Sequence, residues 1–381
     1  MNPSNNRYVS VYVRNEKEGP SCYYRIIQYI NAINAYEYRI NNALTSGEFR
    51  NNLDQKNSIL KKIKQAYYLV LIIMRRLRDI EYDSKNNPSC IIVSREFVPR
   101  FIPKFLARRV MSLAKHVPVI WDLDDDIFSA GEISELERSI LQKESKAIIV
   151  THDYLSRKIS LKDRTKCKLI CTTDGSCSKG MYEKFLLVRR EMFKKTIRIV
   201  WVGTSSNLVN LELALPGINE AAKQIMHLSG RLVKLTIVCN KPLKYDKALY
   251  SNLIIHNYKW NREVALKAIL NSHMGIMPLR KTNISEGKGA FKLIQYLSCG
   301  VPLIASPEGF NKIVVTDTCG ILASDSEEWS RAVINLSQNE DRWLNYAVAA
   351  RKRYESEYNF YRNLLLWKDI LDKTIKGMKL K

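Results

Sequence analysis

Residues 283–309 read NISEGKGAFKLIQYLSCGVPLIASPEG. A polar opening with glycines at 287 and 289 leads into FKLIQYLS, whose apolar positions recur at helical spacing. The run VPLIAS follows, bounded by Gly and Pro. Loop, helix and short apolar run are the second half of a βαβ unit, and the apolar run 275–277 supplies its first strand. Outward from there the alternation continues. It predicts strands at 197–202, 235–238, 253–255, 302–305 and 320–322, and earlier ones at 8–13, 90–93, 118–121, 147–150 and 168–171. The fold class is therefore α/β with parallel strands. The pattern restarts at Ile197 after a strongly charged stretch, 178–196, which reads as an interdomain connection. Two units are expected, 1–180 and 195–357. A helical tail follows from Ser326; its last helix, about 358–381, either completes the second unit or crosses back to the first, with Tyr358, Tyr361, Leu364, Leu365 and Trp367 as its apolar face.

With 381 residues, 46% hydrophobic and 26% charged, the composition excludes disordered, collagen-like and disulfide-scaffold classes. The net charge of +23 calls for a polyanionic partner: phosphates, nucleic acid or an anionic membrane. No nucleic-acid-binding motif is present, so nucleic acid is not expected. The opening MNPSNNRYVSVYVRNEKEG has no apolar signal core and reads as a first strand. The eight cysteines are accordingly expected to be reduced thiols of a cytoplasmic protein, and the cluster Cys167, Cys171, Cys177 lacks zinc-site spacing. The longest apolar run, AYYLVLIIM at 66–74, is far short of the roughly 20 residues a spanning helix needs. It reads as a buried strand or helix. Its flanks (Lys61, Lys62, Lys64, Arg75, Arg76, Arg78) and the basic, helix-spaced segment 101–116 with Arg108 and Arg109 also suit an anionic bilayer surface. Peripheral attachment at the inner face of the membrane is the corresponding expectation.

Open parallel sheets bind ligands at the carboxyl ends of their strands. Gly203-Thr204-Ser205-Ser206-Asn207 follows one such end, where backbone N–H groups and hydroxyls can cradle phosphate. A capped strand-to-helix turn is the plainer reading of it. Lys288 and Lys292, four apart, share one helix face if the helix starts early enough to include both, and Gly287 and Gly289 admit a ligand close to the backbone. Two ammonium groups and a helix amino terminus form a diphosphate site. The run VPVIWDLDDDIF at 117–128 places Asp122, Asp124, Asp125 and Asp126 at another strand end. Four acids invite a Mg²⁺ reading, set against helix capping, which suits Asp126 best. Asp124 and Asp125 are the functional candidates. Gly19, Pro20 and Ser21, then Arg25, follow the first strand and form either a second ligand-facing loop or simply a helix start.

Taken together, GPSCYYRIIQYI, VIWDLDDDIF, VWVGTSSNL and GKGAFKLIQYLSCGVPLIASPEGF resemble the family 4 glycosyltransferases, retaining sugar-nucleotide transferases. The resemblance implies the GT-B fold, two Rossmann-like domains facing each other across a cleft. It implies a nucleotide-sugar donor held by Gly203, Thr204, Ser205, Lys288, Gly289, Phe291, Lys292, Leu293 and Gln295. It implies catalytic roles for Asp124, Lys292 and Glu286, and an acceptor side at Gly19, Arg25 and Asp125. The acceptor class is a glycan or lipid-linked molecule, as in surface polysaccharide or glycoconjugate synthesis. No cofactor is implied: the nucleotide-sugar is a substrate, and the fold does not require a divalent metal. Two departures stand out. Gly287 and Gln295 occupy the positions of the family's paired glutamates, and Thr204 to Asn207 stand where many members carry Arg and Lys. Two other readings share parts of this pattern, a sugar-nucleotide 2-epimerase of the same fold and a non-catalytic polyanion binder.

Overall fold

The computed structural model describes residues 8–53 and 58–376. The chain divides into two units, Met1–Thr172 with Tyr361–Lys381, and Thr173–Phe360. Each is built on a six-stranded sheet whose pairings are all parallel.

In the first unit the strands are β1 (Tyr8–Val13), β2 (Glu37–Asn42), β3 (Cys90–Ser94), β4 (Val119–Leu123), β5 (Ser145–Val150) and β6 (Cys167–Leu169). Their order is β2-β1-β3-β4-β5-β6. β3 and β4 are buried at every position, as strands covered by helices on both faces must be. The apolar run 66–74 lies within one helix, Ser58–Asn86, which packs against the helix Lys104–His116. Arg76 of the long helix is fully buried and donates to the carbonyls of Val13 (2.8 Å), Asn41 (2.8 Å) and Phe97 (3.0 Å). One guanidinium thus satisfies carbonyls at the ends of β1 and β2 and beyond β3. Arg75 donates to Glu48 (2.6 and 2.9 Å), so neither of these arginines belongs to the free basic surface expected from the sequence. The side chain of Lys61 lies outside the described residues.

The second unit contains β7 (Thr196–Gly203), β8 (Leu232–Cys239), β9 (Leu253–Lys259), β10 (Met274–Met277), β11 (Leu303–Ala305) and β12 (Gly320–Leu322), in the order β12-β11-β10-β7-β8-β9. The charged stretch 178–196 is not a connection: it holds a helix, Lys179–Phe193, that belongs to this unit. Its anchor is polar. Buried Arg189 donates to the carbonyls of Ser272 (3.3 Å), Cys299 (3.0 Å) and Gly300 (3.0 Å), while Phe193 enters the apolar core. The division between units falls after Thr172 rather than near residue 180.

The last helix, Phe360–Lys376, lies with the first unit over most of its length. Its buried face is Asn363, Trp367, Ile370 and Leu371; Trp367 stacks on Tyr29, and Asn363 donates to the Cys171 carbonyl (2.7 Å). Tyr361 and Leu365, expected on that face, are exposed. Residues 377–381 of the expected helix lie outside the described residues.

Candidate active site

In the second sheet the strand order reverses between β7 and β10. Chains leaving two such strands diverge to opposite faces and open a crevice at the carboxyl ends. β7 ends there at Gly203. Ser205 N–H donates to Asn240 Oδ1 (2.8 Å), and the Asn240 amide donates to Ser205 Oγ (3.2 Å), which ties the loop to the end of β8. Thr204 Oγ1 accepts from Asn207 (2.9 Å), and Lys288 Nζ donates to Asn207 Oδ1 (3.1 Å). A Cβ placed on Gly203 would lie 3.1 Å from Lys292 Cε. The structure therefore gathers Gly203, Thr204, Ser205, Lys288 and Lys292 around one strand end. Burial pushes the Cys239 thiol up, and the nearby Lys292 ammonium works against that shift, which locates the Lys292 charge beside the end of β8.

The helix Phe291–Ser298 starts from Ala290, which has φ 50°, and no side chain caps it, so Lys288 stands in the preceding loop and not on a helix face shared with Lys292. Its amino-terminal dipole adds to the lysine charges. Gly289 and Leu293 are buried and Phe291 is half-buried. Gln295 is 4% exposed and donates to Asp174 Oδ2 (2.8 Å). Glu286 ends the short turn Asn283–Glu286, whose start is closed by reciprocal bonds between Thr282 and Ser285. Gly309, with φ 51°, lies against this turn: a Cβ there would meet the Ser285 carbonyl at 2.6 Å. Beside it Glu308 Oε2 is buried without a hydrogen-bond partner.

In the first unit the reversal falls between β1 and β3. Two arginines immediately after these strands organise the carboxyl ends. Arg14 pairs with Glu96 (2.6 Å) and Glu132 (2.8 Å), and Arg95 pairs with Asp124 (2.7 Å) and Glu132 (2.7 Å). Burial works against the charge of Arg95, but Asp124, Glu132 and Glu96 outweigh it and raise its pKa. Asp125 is half-buried on the same loop. Asp126 is turned inward; burial opposes its charge, yet bonds from Ser129 and Lys158 hold its carboxyl below the usual range. It therefore closes a turn at 126–129, not the helix start expected for it. Arg25 is 1% exposed and is committed to Asp122, with further bonds to Ile170 and Thr172. Gly19 opens the helical turn bearing it, Gly19 O accepting from Tyr23 N–H (3.1 Å). Asp122 and Arg25 thus join each other rather than Asp124. Among the described residues no group of three or more His, Cys, Asp and Glu side chains could hold a metal ion.

Sequence reading missed Asn240 and Glu308 in the second unit, and Arg14, Arg95, Glu96 and Glu132 in the first. Arg14 and Arg95 carried a usable signal, because each follows a strand at the switch point. Glu132 and Glu308 carried none.

Residues 196–339 match the family model described as glycosyl transferases group 1. Over nearly the whole chain the fold is that of Anabaena HepE in complex with UDP, with TM-score 0.64, 9% identity, and 96% of this chain and 100% of that one covered. Sucrose-phosphate synthase from Thermosynechococcus elongatus gives TM-score 0.62 and 12% identity, covering 97% and 100%. A putative UDP-N-acetylglucosamine 2-epimerase from Listeria monocytogenes gives 0.55 and 8%, covering 92% and 94%. The chain has the GT-B fold. No curated protein matches its sequence. In this GT-B frame both sheets are Rossmann-like, and the glycosyl transferases group 1 match includes the whole Gly203–Lys292 cluster.

Proposed function

We propose that the protein is a retaining, family 4-type glycosyltransferase that moves a hexosyl group from a nucleotide-sugar to a glycan or lipid-linked acceptor. The observation that carries this reading is the convergence of Lys288 and Lys292 with the Gly203–Asn207 loop at the switch point of the second sheet. The UDP bound to Anabaena HepE, which shares the fold, supports a nucleotide-sugar donor.

In the transition state negative charge builds on the leaving diphosphate. Ammonium groups fixed beforehand stabilise that charge more than they stabilise the bound donor. Lys292 and Lys288 take this role, with the start of the helix Phe291–Ser298 adding its dipole and Thr204 and Ser205 their hydroxyls. Gln295 stands in for a ribose-binding glutamate, since an amide carbonyl also accepts a hydroxyl bond. Glu286 lies on the sugar side of the diphosphate. Asp124, held by Arg95, and Asp125 serve the acceptor. With retention, the leaving diphosphate itself assists deprotonation of the acceptor hydroxyl, and the protein contributes positioning and charge. A role in surface polysaccharide or glycoconjugate synthesis, at the cytoplasmic face of a membrane, completes the proposal. Its support is an exposed apolar stripe with basic neighbours on the helices Ser58–Asn86 and Lys104–His116. No helix among the described residues is long and apolar enough to cross a membrane.

Calorimetry with nucleoside diphosphates and initial rates with UDP-, GDP- and ADP-sugars test the reading. Lys292→Ala should lower turnover about 10²–10³-fold, the usual loss for one electrostatic contact to developing charge, and weaken nucleoside-diphosphate binding. Asp124→Asn should keep donor affinity and lose transfer. Formation of an epimerised sugar nucleotide would favour the 2-epimerase instead. If Lys288→Ala and Lys292→Ala both bind and turn over like the parent, the site is elsewhere.

A further inference from the structure

The second sheet has another concavity, and it is cationic. A cavity of about 540 Å³ is lined by Arg198, Lys234, Thr236, His256, Tyr258 and Lys267, with neighbouring residues of the helix Arg262–Leu270 and the turn after it. Strand register explains the convergence. Arg198 of β7 is the direct partner of Lys234 of β8, and Thr236 is the partner of His256 of β9. Direct partners in a sheet project to the same face, so Arg198 and Lys234 stand side by side. Like charges placed directly opposite destabilise a sheet.

Glu263, four residues before Lys267 on the helix Arg262–Leu270, is not among the lining residues. No carboxylate lines the cavity, and among the described residues none forms an ion pair with Arg198, Lys234 or Lys267. Arg198 is half-buried, and burial lowers its pKa with no acid acting against it. Arg14, also half-buried, is answered by Glu96 and Glu132, and half-buried Arg231 donates to the Phe193 (3.4 Å) and Ser337 (2.6 Å) carbonyls. The groove is separate from the Lys288–Lys292 cluster. Arg198 lies five residues before the carboxyl end of β7 at Gly203, about 16 Å along the strand.

We propose that this groove is a second anion site, which binds a small phosphate-bearing molecule apart from the donor. Three cations supply the charge, Thr236 and Asn271 supply hydrogen-bonding groups, and the half-exposed Tyr258 ring supplies a flat apolar wall. The volume lies in the range of small-molecule pockets. The wall and the hydroxyl partners suit a phosphorylated sugar better than bare phosphate.

The test is isothermal calorimetry of the full chain with inorganic pyrophosphate at low salt. The parent should show two classes of site. Lys234→Gln/Lys267→Gln should weaken one class at least about tenfold, since charge-assisted bonds to phosphate are each worth that much, and leave the other intact. Lys288→Ala/Lys292→Ala should do the converse, so a failure of the donor-site reading is seen separately. Lys223→Gln/Lys247→Gln, an equal change of charge at exposed positions of the same unit, should keep both classes. Thermal melting gives a second readout. Without ligand the groove variant should melt no lower than the parent, because a like-charge contact has been removed, and pyrophosphate should raise its melting temperature less. Parent-like titration by the groove variant, or an equal loss in the Lys223→Gln/Lys247→Gln control, overturns the proposal.

Discussion

A methyl group at position 203 would have to displace the Trp201 ring, which lies 2.6 Å from where that Cβ would sit, and then the Lys292 side chain. In the sequence Gly203 reads as a residue that lets a phosphate approach the backbone. The structure adds a second reason for glycine there: an indole from the same strand and the ammonium-bearing chain of Lys292 both occupy the space. Gly203→Ala should therefore destabilise the second unit by about 1–3 kcal/mol, the usual cost of overpacking, and should also weaken nucleoside-diphosphate binding by shifting Lys292. Denaturant melts and calorimetry on one preparation separate the two effects; unchanged affinity would place Lys292 outside the donor site. The candidate site was legible where its chemistry sits on glycine and lysine next to a strand end. It was not legible for Arg25, whose place after the first strand suggested a ligand-facing loop. Burial against Asp122 was decided by a residue 97 positions away in the chain, which no local pattern records.

The helix Ser58–Asn86 shows what one element carries on its two faces. Inward, Asp83 accepts from Tyr8 (2.7 Å), Ser10 (2.5 Å) and Tyr12 (2.6 Å) of β1, and Arg76 meets the strand ends. Outward, Ile63, Tyr67, Val70 and Met74 are each more than half exposed at helical spacing, with Lys62 and Arg78 exposed nearby. Phe101, Phe105, Arg108 and Arg109 add a similar mixture on or beside the helix Lys104–His116. Such a face suits an anionic bilayer, where each basic residue contributes about 1 kcal/mol at low salt and the apolar side chains enter the interface. Val70→Asp/Met74→Asp should abolish sedimentation with anionic vesicles while leaving the melting curve unchanged. Binding of the parent should fall as salt rises; equal binding to neutral vesicles would remove the electrostatic component. Elements of this kind were partly readable. Strands that are continuous apolar runs declared themselves, whereas β2, Glu37–Asn42, is an edge strand of mostly polar, half-exposed residues with no run to find. The helix Lys179–Phe193 reads as a connection in the sequence because its anchor is an arginine rather than an apolar stripe.

At the scale of the molecule, the two units carry separate apolar cores and buried titratable groups of opposite sense. In the first unit Glu137 is fully buried, and burial pushes its carboxyl up to about 8, with Glu96 adding to the shift and the Phe97 N–H opposing it. In the second unit His273 is fully buried, and burial pushes its pKa down to about 3. Its Nδ1 accepts from Arg198 N–H (2.9 Å) and its Nε2 bonds the Arg189 carbonyl (2.9 Å), which fixes the neutral ring. A raised acid keeps its proton when folded and loses it when unfolded between about pH 4.5 and 8, so its contribution to the first unit falls as pH rises through that window. A lowered histidine takes up a proton only when unfolded between about pH 6.5 and 3, so its contribution to the second unit falls as pH drops. Each shift corresponds to about 5 kcal/mol across its window. Calorimetric scans from pH 4 to 9 should therefore show the second unit's transition weakened towards acid by this term and the first unit's weakened towards alkali. Saturation with nucleoside diphosphate labels the second unit's transition, since a ligand at a hundred times its Kd adds about 2.7 kcal/mol to the state that binds it. Glu137→Gln should flatten the alkaline slope of the first transition alone, and His273→Asn the acid slope of the second alone. A parent-like slope in either variant would mean that the pH dependence of that unit comes from other groups.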